Sequence, residues 1–181
     1  MSYYSELTTV NAVRSSYLSI VGTGDDTLML DIIRSVSREI EHTAHRTFSP
    51  RIETRYFDYH RDTSGAYLYF DADLLEITTL TNGDGATISS SAYVFEPRNI
   101  YPRYALKLIN SGGVFWAYNQ DPESAISVNG VWAYHSDYNN AWQAVDTLNA
   151  SATNSATSLT TVGSGLIKAG QLLKIDSEYL Y

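Results

Sequence analysis

The chain has no cysteine and no hydrophobic run long enough to cross a membrane. Without cysteine, disulfides, thiolate metal sites and cysteine redox chemistry are excluded, and the composition fits folding in a reducing cytoplasm. The opening MSYYSELTT carries neither the basic region nor the apolar run of a signal peptide, and no later stretch approaches the ~18 apolar residues of a membrane span. We therefore expect a protein that is neither exported by a signal peptide nor embedded in a membrane.

Positive charge is also scarce. The 181 residues include 12 Lys and Arg but 20 Asp and Glu, a formal net charge of −8 at pH 7. Such a chain repels phosphate, and no Lys/Arg cluster is dense enough to reverse this locally, so tight nucleic-acid binding is disfavoured. Tyrosine supplies 15 residues. Tyrosine suits shared surfaces, which indicates assembly, and it is equally a favoured strand residue, so a Tyr-rich β domain explains the same count.

Sequence signatures of catalysis are missing as well. The chain contains no G-x-S-x-G elbow, no H-E-x-x-H and no Gly-rich phosphate loop. Gly22-x-Gly24 precedes a predicted helix but follows no strand, so it is a poor match to a nucleotide-binding turn. We predict that the protein is not an enzyme and that it holds no cofactor and no metal.

Three groups of side chains could nevertheless carry chemistry: a helical histidine pair, an acidic patch and the tryptophans. The histidines could hold a metal together with a nearby glutamate, although cationic side chains are also favoured at a helix end. The acidic patch could bind calcium or form a glycosidase-type carboxylate pair, although Asp is common in turns. The tryptophans could stack on sugars, although a place inside a small β core is favoured. The groups are His42 and His45 with Glu39 or Glu41; Asp58, His60, Asp62, Asp71 and Asp73; and Trp116, Trp132 and Trp142.

The clearest pattern in the chain is an apolar periodicity between Asp25 and Phe48. Leucine, isoleucine and valine recur at steps of four, while charged residues occupy the other side of the same helix. The apolar positions are Leu28, Ile32, Val36 and Ile40, with Met29 and Ile33 alongside, and the charged ones are Asp31, Arg34, Arg38, Glu39 and Glu41. Acidic residues at the start and basic residues at the end suit the helix dipole. The pattern predicts an amphipathic helix whose apolar stripe needs a partner surface.

A shorter amphipathic helix is predicted before it, from a cap at Thr8 or Thr9 to about Leu18, and Gly22-Thr23-Gly24 ends it. Two helices joined by a short Gly-containing link form an αα-hairpin. Such a hairpin leaves at least one side of the longer helix uncovered. We therefore expect a further element to close it.

The periodicity changes from helical to alternating at Arg51, which predicts antiparallel strands. Asn82-Gly83-Asp84-Gly85 is the strongest turn signal, and it predicts a tight hairpin between strands over 75–81 and 87–95. The other predicted strands cover 51–56, where Ile52, Thr54 and Tyr56 alternate with Arg51, Glu53 and Arg55, and 66–70, 104–108 and 126–134, with a strand or bulge at 114–116. Six or seven short strands in this length are typical of a sandwich or barrel.

The C-terminal part of the chain has a different composition. Residues 149–158 are almost all Asn, Ala, Ser and Thr, which predicts a loop or linker, and strands over 157–162 and 171–176 could pair after it. The predicted fold class is α+β. It comprises an N-terminal helical hairpin of a small helix bundle (1–50), an inserted antiparallel β domain, sandwich- or barrel-like (51–136), and a polar linker with a short β segment (137–181) that ends like an interrupted strand.

Taken in order, the segments of the chain resemble the bacteriophage head-tail connector, or adaptor, proteins of the virion neck. No single segment is diagnostic, and the likeness rests on serial order and spacing over most of the chain. The segments are LTTVNAVRSSYL, GTGDDTLMLDII, TAHRTFSPR, DLLEITTLTNGDG, AYVFEPRNIYPRYALKL, ISVNGVWAYHSDYNNAW and AGQLLKIDSEYLY.

The resemblance implies a structural protein of the virion neck, assembled in the host cytoplasm. Connector subunits pack their helical bundles side by side into a ring, usually of twelve, which β regions decorate. The implied partners are identical subunits, the portal protein and the next neck or tail-completion protein, while genomic DNA passes through the ring without specific binding. The acidic composition suits this role, because like charge keeps the DNA from sticking.

Partner contacts in such a protein are expected on surfaces rather than in a motif. The candidate partner-binding residues are Tyr3, Tyr4, Arg34, Arg38, Glu41, Tyr179, Leu180 and Tyr181. Longer members of the family continue past the EYLY segment with further strands and a last helix. We expect either that the chain continues in the same way, or that a neighbouring subunit or the β region closes its helical hairpin. The alternative function is a phage tail or baseplate β domain that grips a host glycan through Trp116 or Trp132.

Overall fold

The structure, a computed structural model, combines a few helices with a mostly antiparallel sheet. It describes residues 7–14, 22–109, 112–142, 144, 146–153, 155–156, 158–163, 167, 173–176 and 178–180. Its helices are α1 (Val10–Val13), α2 (Asp26–Ala44) and α3 (Tyr59–Asp62), and its strands are β1 (Arg51–Phe57), β2 (Thr63–Ser64), β3 (Tyr67–Thr81), β4 (Tyr93–Glu96), β5 (Arg103–Leu108), β6 (Ile126–Trp132), β7 (Leu173–Ile175) and β8 (Glu178–Leu180). In the described part of the chain, no helix is both long enough and apolar enough to span a bilayer.

The main helix, α2, confirms the apolar periodicity but ends four residues before the predicted limit. His45 adopts a left-handed backbone conformation with φ of 50°. Its amide and that of Arg46 bond back to the carbonyl oxygens of His42 and Glu41, which closes the last turn. The chain then leaves the helix axis and enters β1 after Pro50.

The shorter helix, α1, is described only over Val10–Val13, and the rest of the segment predicted up to Leu18 lies outside the described residues. Thr9 caps it as predicted, because its hydroxyl accepts a hydrogen bond from the amide of Ala12 at 3.1 Å. The N-terminal segment also touches α2, since the Leu7 amide donates to the Ser37 hydroxyl at 3.1 Å.

Six strands form one sheet in the order β1-β6-β3-β5-β4, with β2 paired to the start of β3. The strands predicted over 66–70 and 75–81 are a single long strand, β3. It pairs with β5 at Tyr67–Tyr69 and again at Leu74, and with β6 from Leu74 to Thr81, with shifts in register along both pairings. The polar residues Asp71 and Asp73 therefore mark an irregularity within one strand and not a turn between two.

The predicted turn at Asn82-Gly83-Asp84-Gly85 is confirmed, because the Asn82 amide bonds to the Ala86 carbonyl and the Gly85 amide to the Asn82 carbonyl. The hairpin predicted to follow it is wrong beyond one bridge, at Thr81 and Thr87. After a 3₁₀ turn at Ser90–Ala92, the chain forms β4, which pairs with β5 and not with β3. The predicted element at 114–116 forms no strand.

Buried Asn82 explains this departure. Its side-chain amide donates to the Phe115 carbonyl at 2.9 Å, and its side-chain oxygen accepts from the Ala117 amide at 3.2 Å. These bonds hold the 114–118 segment beside the turn, where a returning strand would otherwise lie.

The core is formed almost entirely by the sheet and its loops. The main cluster of buried side chains comprises Phe57, Leu68, Leu74, Leu80, Ile88, Ala92, Tyr93, Leu106, Leu108, Trp116, Ile126, Val128 and Trp132. A smaller cluster on Leu75, Val131, Ala133 and Tyr138 is covered by Tyr101, Ala141 and Trp142. The sheet order has two separate ends, β1 and β4, and β7 and β8 form a second, two-stranded sheet.

In strand β1 the usual arrangement, with apolar side chains towards the core and polar side chains towards solvent, is reversed. Its charged side chains are half-buried, whereas Ile52, Thr54 and Tyr56 point to solvent. Arg55 accounts for part of this, because its guanidinium lies 5.0 Å from the centre of the Trp132 ring and pairs with Glu53 at 2.7 Å. The arginine stem thus covers the core while its charge is satisfied at the edge.

The C-terminal prediction is confirmed in part. The described residues of 149–158 form no helix or strand, as expected for a polar loop. The pairing predicted between 157–162 and 171–176 is wrong, because β7 pairs with β8 and Thr161 forms a single bridge with Leu148.

Candidate interaction surface

An apolar stripe on α2 remains open to solvent. It consists of Leu28, Ile32, Val36 and Ile40, whose exposed fractions are 61%, 54%, 51% and 45%. The four residues recur at steps of four, so they form one continuous ridge along the helix. A helix with an apolar ridge is normally packed by that ridge. Here the ridge lacks a covering surface among the described residues.

The buried side of α2 is a different and less apolar line. Only Ile33 and Ser37 are buried in this helix, and Ile33 lies about 100° around the helix from Ile32. Ser37 accepts the hydrogen bond from Leu7, and Asp26 at the start of the helix forms an ion pair with Arg14. The N-terminal segment therefore holds α2 by this side and leaves the stripe facing outward.

The polar residues predicted to bind partners are divided between surface and structural positions. Arg34 and Arg38 are exposed on α2. Glu41 is half-buried, and one of its carboxylate oxygens accepts the amides of Phe48 at 2.8 Å and Ser49 at 3.2 Å. Glu41 therefore shapes the chain between α2 and β1. Partner binding was predicted on this polar side, whereas the stripe is the larger exposed feature; its signal was the four-residue periodicity itself.

The remaining predicted contact residues belong to the chain termini. Tyr3, Tyr4 and Tyr181 lie outside the described residues. Tyr179 and Leu180 form part of β8, which pairs with β7. Their side chains are not among those that the structure describes.

A cleft of about 860 Å³ lies between the C-terminal end of α2 and the sheet. Its charged lining is balanced, with four arginines and four carboxylates: Arg38, Arg46, Arg51, Arg55, Glu41, Glu53, Asp71 and Asp73. Arg46 donates to both carboxylate oxygens of Asp73 at 2.8 Å, and Arg55 contacts Asp71 at 3.0 Å. The Arg46–Asp73 pair fastens the end of the helix to β3, and the Arg55–Asp71 pair joins β1 to β3.

The candidate metal and hydrolase residues are engaged in other contacts. The rings of His42 and His45 are 6.1 Å apart, and no group of three or more potential ligands is placed to hold a metal within the described ranges. Asp58, a member of the predicted acidic patch, accepts the Ser124 amide at 2.7 Å and pairs with Arg61.

Asp62, another member of the predicted acidic patch, has a structural role. The Arg61 side chain donates to it at 2.9 Å, and the Asp58 amide donates to it at 2.8 Å. Both bonds favour the ionised carboxylate, the Arg61 bond most, so the pKa of Asp62 lies below its ordinary value. The carboxylate thus stabilises the short helix α3 in its charged form.

Two of the three tryptophans are core residues. Trp116 and Trp132 are buried, and their indole N–H groups donate to the carbonyl oxygens of Ala66 and Glu53. Neither ring can stack on a sugar from this position. Trp142 is half-buried against Tyr138, with the Lys174 ammonium 5.6 Å from its ring centre. The glycan-binding alternative therefore loses the side chains on which it was based.

Comparisons with known proteins add no assignment, because no family model, curated protein or solved structure matches the chain.

Proposed function

We propose that this protein is a structural subunit that associates with identical copies through the α2 stripe to form a ring. The observation that carries the proposal is the open row of Leu28, Ile32, Val36 and Ile40. An apolar surface of this kind on a folded chain marks an interaction site. Following the family resemblance, we place the ring in the neck of a tailed bacteriophage, as a head-tail connector below the portal.

The energy available from the stripe supports association. Complete burial of a large aliphatic side chain stabilises by about 1.5–3 kcal/mol, and each stripe residue has roughly half of that burial still to gain. The four together contribute about 4 kcal/mol per covered stripe, before the costs of association. One stripe is therefore a useful but modest contact. A closed ring, in which each copy offers its stripe to the next, repeats this contact around the assembly.

The proposal also gives the three parts of the chain their roles. Residues 1–50 would form the helical hairpin that contributes to a bundle between neighbouring subunits, residues 51–136 would form the β domain outside it, and residues 137–181 would add a polar segment with the β7–β8 pair. The neighbours above and below would be the portal protein and the next neck or tail-completion protein. DNA would pass without specific binding, since the chain carries a net charge of −8.

Ring formation can be tested with one charge placed on the stripe. We expect the parent chain to form a closed multiple of its mass in native mass spectrometry, and Ile32→Asp to abolish this ring-sized species, because an aspartate there would be buried without a partner. Thr27→Asp is the matched control: it adds the same charge to the same helix, at an exposed position about 140° away around the axis.

The control must retain the ring and both variants must keep the far-UV circular dichroism of the parent. The proposal fails if the parent chain forms no ring at any concentration, or if Ile32→Asp assembles as the parent does.

A further inference from the structure

We infer that the outer edge of β1 is a second self-association site, at which two copies of this chain pair antiparallel about a twofold axis centred on Thr54. The two strands would join two sheets into one. This contact uses no residue of the α2 stripe, so it goes beyond the proposed ring and can be tested separately from it.

The outer edge of β1 is available for pairing. The strand stands at one end of the sheet and pairs only with β6, through seven consecutive residue pairs from Arg51 with Trp132 to Phe57 with Ile126. In an antiparallel edge strand, every second residue directs its backbone N–H and C=O away from the sheet. Among the described residues, no strand occupies that side.

Strand β1 lacks several of the features that usually protect an edge. Protected edges are short, are covered, or carry proline, charged side chains or a bulge. The opposite edge of the sheet, β4, follows this rule, because it has four residues and is followed by Pro97. By contrast, β1 has seven residues, RIETRYF, with no proline, no lysine and no shift in its register with β6. The β4 edge is therefore short and ends at a proline, whereas the β1 edge is long and regular and is protected only by the charges of Arg51, Glu53 and Arg55.

The sequence of β1 is complementary to itself in one antiparallel register. With Thr54 facing its own copy, Glu53 faces Arg55 of the second strand, and Arg55 faces Glu53. On the other face, Ile52 meets Tyr56 in both directions. Opposite charges, a β-branched residue with an aromatic ring, and a Thr–Thr pair are the cross-strand combinations that stabilise antiparallel sheets. A shift of one residue would place Arg55 against Thr54 and lose both charge pairs, so the register is specified.

The second copy is favoured over an unrelated strand because the match is reciprocal. Each Glu53–Arg55 contact appears twice, as an isologous interface requires. Within one chain, Arg55 already lies 2.7 Å from Glu53 and 3.0 Å from Asp71, so the pairing extends an existing row of alternating charge across the twofold axis.

Exchange of charges between two variants tests the register. All chains carry Ile32→Asp, which removes the stripe contact and keeps ring formation out of the measurement. This parent should be a dimer by sedimentation equilibrium. Adding Glu53→Arg brings like charges together across the axis, as does adding Arg55→Glu, so each should be monomeric at concentrations where the parent is dimeric. An equimolar mixture of the two should recover the dimer as a heterodimer, because each strand then meets the opposite charge.

Recovery of the dimer in the mixture distinguishes loss of strand pairing between chains from a folding defect within each chain. The two substitutions disturb the Glu53–Arg55 contact within each chain, and mixing cannot repair that contact. The inference is overturned if the Ile32→Asp parent is monomeric, if either charge variant dimerises as the parent does, or if the mixture stays monomeric. A ring that forms normally in the chain without Ile32→Asp would leave the proposed function standing in each of these cases.

Cross-linking provides a second measurement that does not depend on charge. The chain has no cysteine, so Thr54→Cys introduces a single thiol that faces its copy across the axis. Mild oxidation should convert most of this variant into a disulfide-linked dimer. Thr79→Cys, also exposed but on β3, should remain largely unlinked. Equal cross-linking of the two variants would contradict the pairing.

Discussion

The β region, which comprises residues 51–136, and helix α2 differ in how each is stabilised. In the β region, side chains such as Leu106, Val128 and Trp132 are buried in one continuous cluster. In α2, only Ile33 and Ser37 of 19 residues are buried, and the most regular apolar surface of the chain faces solvent. The β region thus holds its own core, whereas the apolar stripe of α2 stays exposed to solvent.

Among the described residues, polar contacts hold the C-terminal end of α2. Glu41 accepts the amides of Phe48 and Ser49, and Arg46 binds Asp73 at the edge of the cleft. Helices in proteins derive most of their stability from tertiary packing of an amphipathic face. The exposed stripe therefore supports the proposal that α2 completes its packing in an assembly.

Matched truncations in the two regions should produce the largest difference. Leu106→Ala removes a fully buried side chain, and we expect it to lower the free energy of unfolding by about 3–4 kcal/mol. Ile32→Ala on the exposed stripe should change it by less than about 0.5 kcal/mol in the unassembled chain. Urea unfolding of both variants in dilute solution measures the difference. Similar losses would mean that the stripe is packed within the single chain.

Crowding at one glycine of the central sheet should have the next largest effect. A Cβ atom at Gly130 would overlap the backbone carbonyl oxygen of Glu76 on the neighbouring strand. We expect Gly130→Ala to cost about 2–3 kcal/mol, because backbone atoms of a paired strand cannot move aside cheaply. Gly112→Ala is the control, since its Cβ would lie 3.7 Å from that of Ala92. Thermal unfolding should separate the two, and equal midpoints would be inconsistent with the tight approach of β3 and β6.

Loss of the Arg46–Asp73 ion pair, which joins α2 to the β region, should loosen the end of the helix but leave the sheet intact. Asp73→Asn removes the charge that Arg46 binds. We expect it to lower the free energy that opposes local unfolding at the C-terminal end of α2 by about 1 kcal/mol. Hydrogen exchange should therefore increase for residues 38–44 and stay unchanged in β6. Asp71→Asn, at a carboxylate that is 69% exposed, should have little effect. Equal exchange in Asp73→Asn and the parent would show that the ion pair does not restrain the helix.

The smallest predicted effect is on the pH dependence of the free energy of unfolding, through Asp62 in the β region. The pKa of Asp62 is lowered in the folded chain, mainly by the Arg61 hydrogen bond, so its ionised form stabilises the fold. That stabilisation is present above the ordinary Asp pKa of 3.8 and is lost as the pH falls through the lowered value. Asp62→Asn should lower the free energy of unfolding by a few tenths of a kcal/mol at pH 6, and in acid the stability of the variant should converge with that of the parent. Parallel stability curves would contradict this role.

Local sequence patterns predicted individual helices, caps and turns better than they predicted how these elements pack against one another. The steps of four that predict α2, the Thr9 cap and the Asn82-Gly83 turn all depend on neighbouring residues, and the structure contains each of them. The direction in which the α2 stripe faces could not be predicted, because it depends on which side the N-terminal segment holds. A helical period shows that a surface needs cover and does not show where the cover comes from.

Long-range polar contacts account for most of the errors in the sheet. The side chain of Asn82 binds the 114–118 segment, which displaces the expected return strand, and nothing in the local turn signal indicates this. Arg55 reverses the apparent faces of β1 by covering Trp132. Both effects join residues more than 30 positions apart, where a single sequence carries no pairing information. The self-complementary pattern of β1, in contrast, is readable from seven consecutive letters.

Solvent access to the stripe tests the central claim most directly. Because the chain has no cysteine, Ile32→Cys and Thr27→Cys each introduce one reporter thiol on the same helix. The rate of reaction with a thiol reagent is measured as the protein concentration rises through assembly. We predict that the thiol at position 32 becomes protected as the ring forms while the thiol at position 27 stays reactive. Equal reactivity of the two thiols at every concentration would contradict burial of the stripe against another copy.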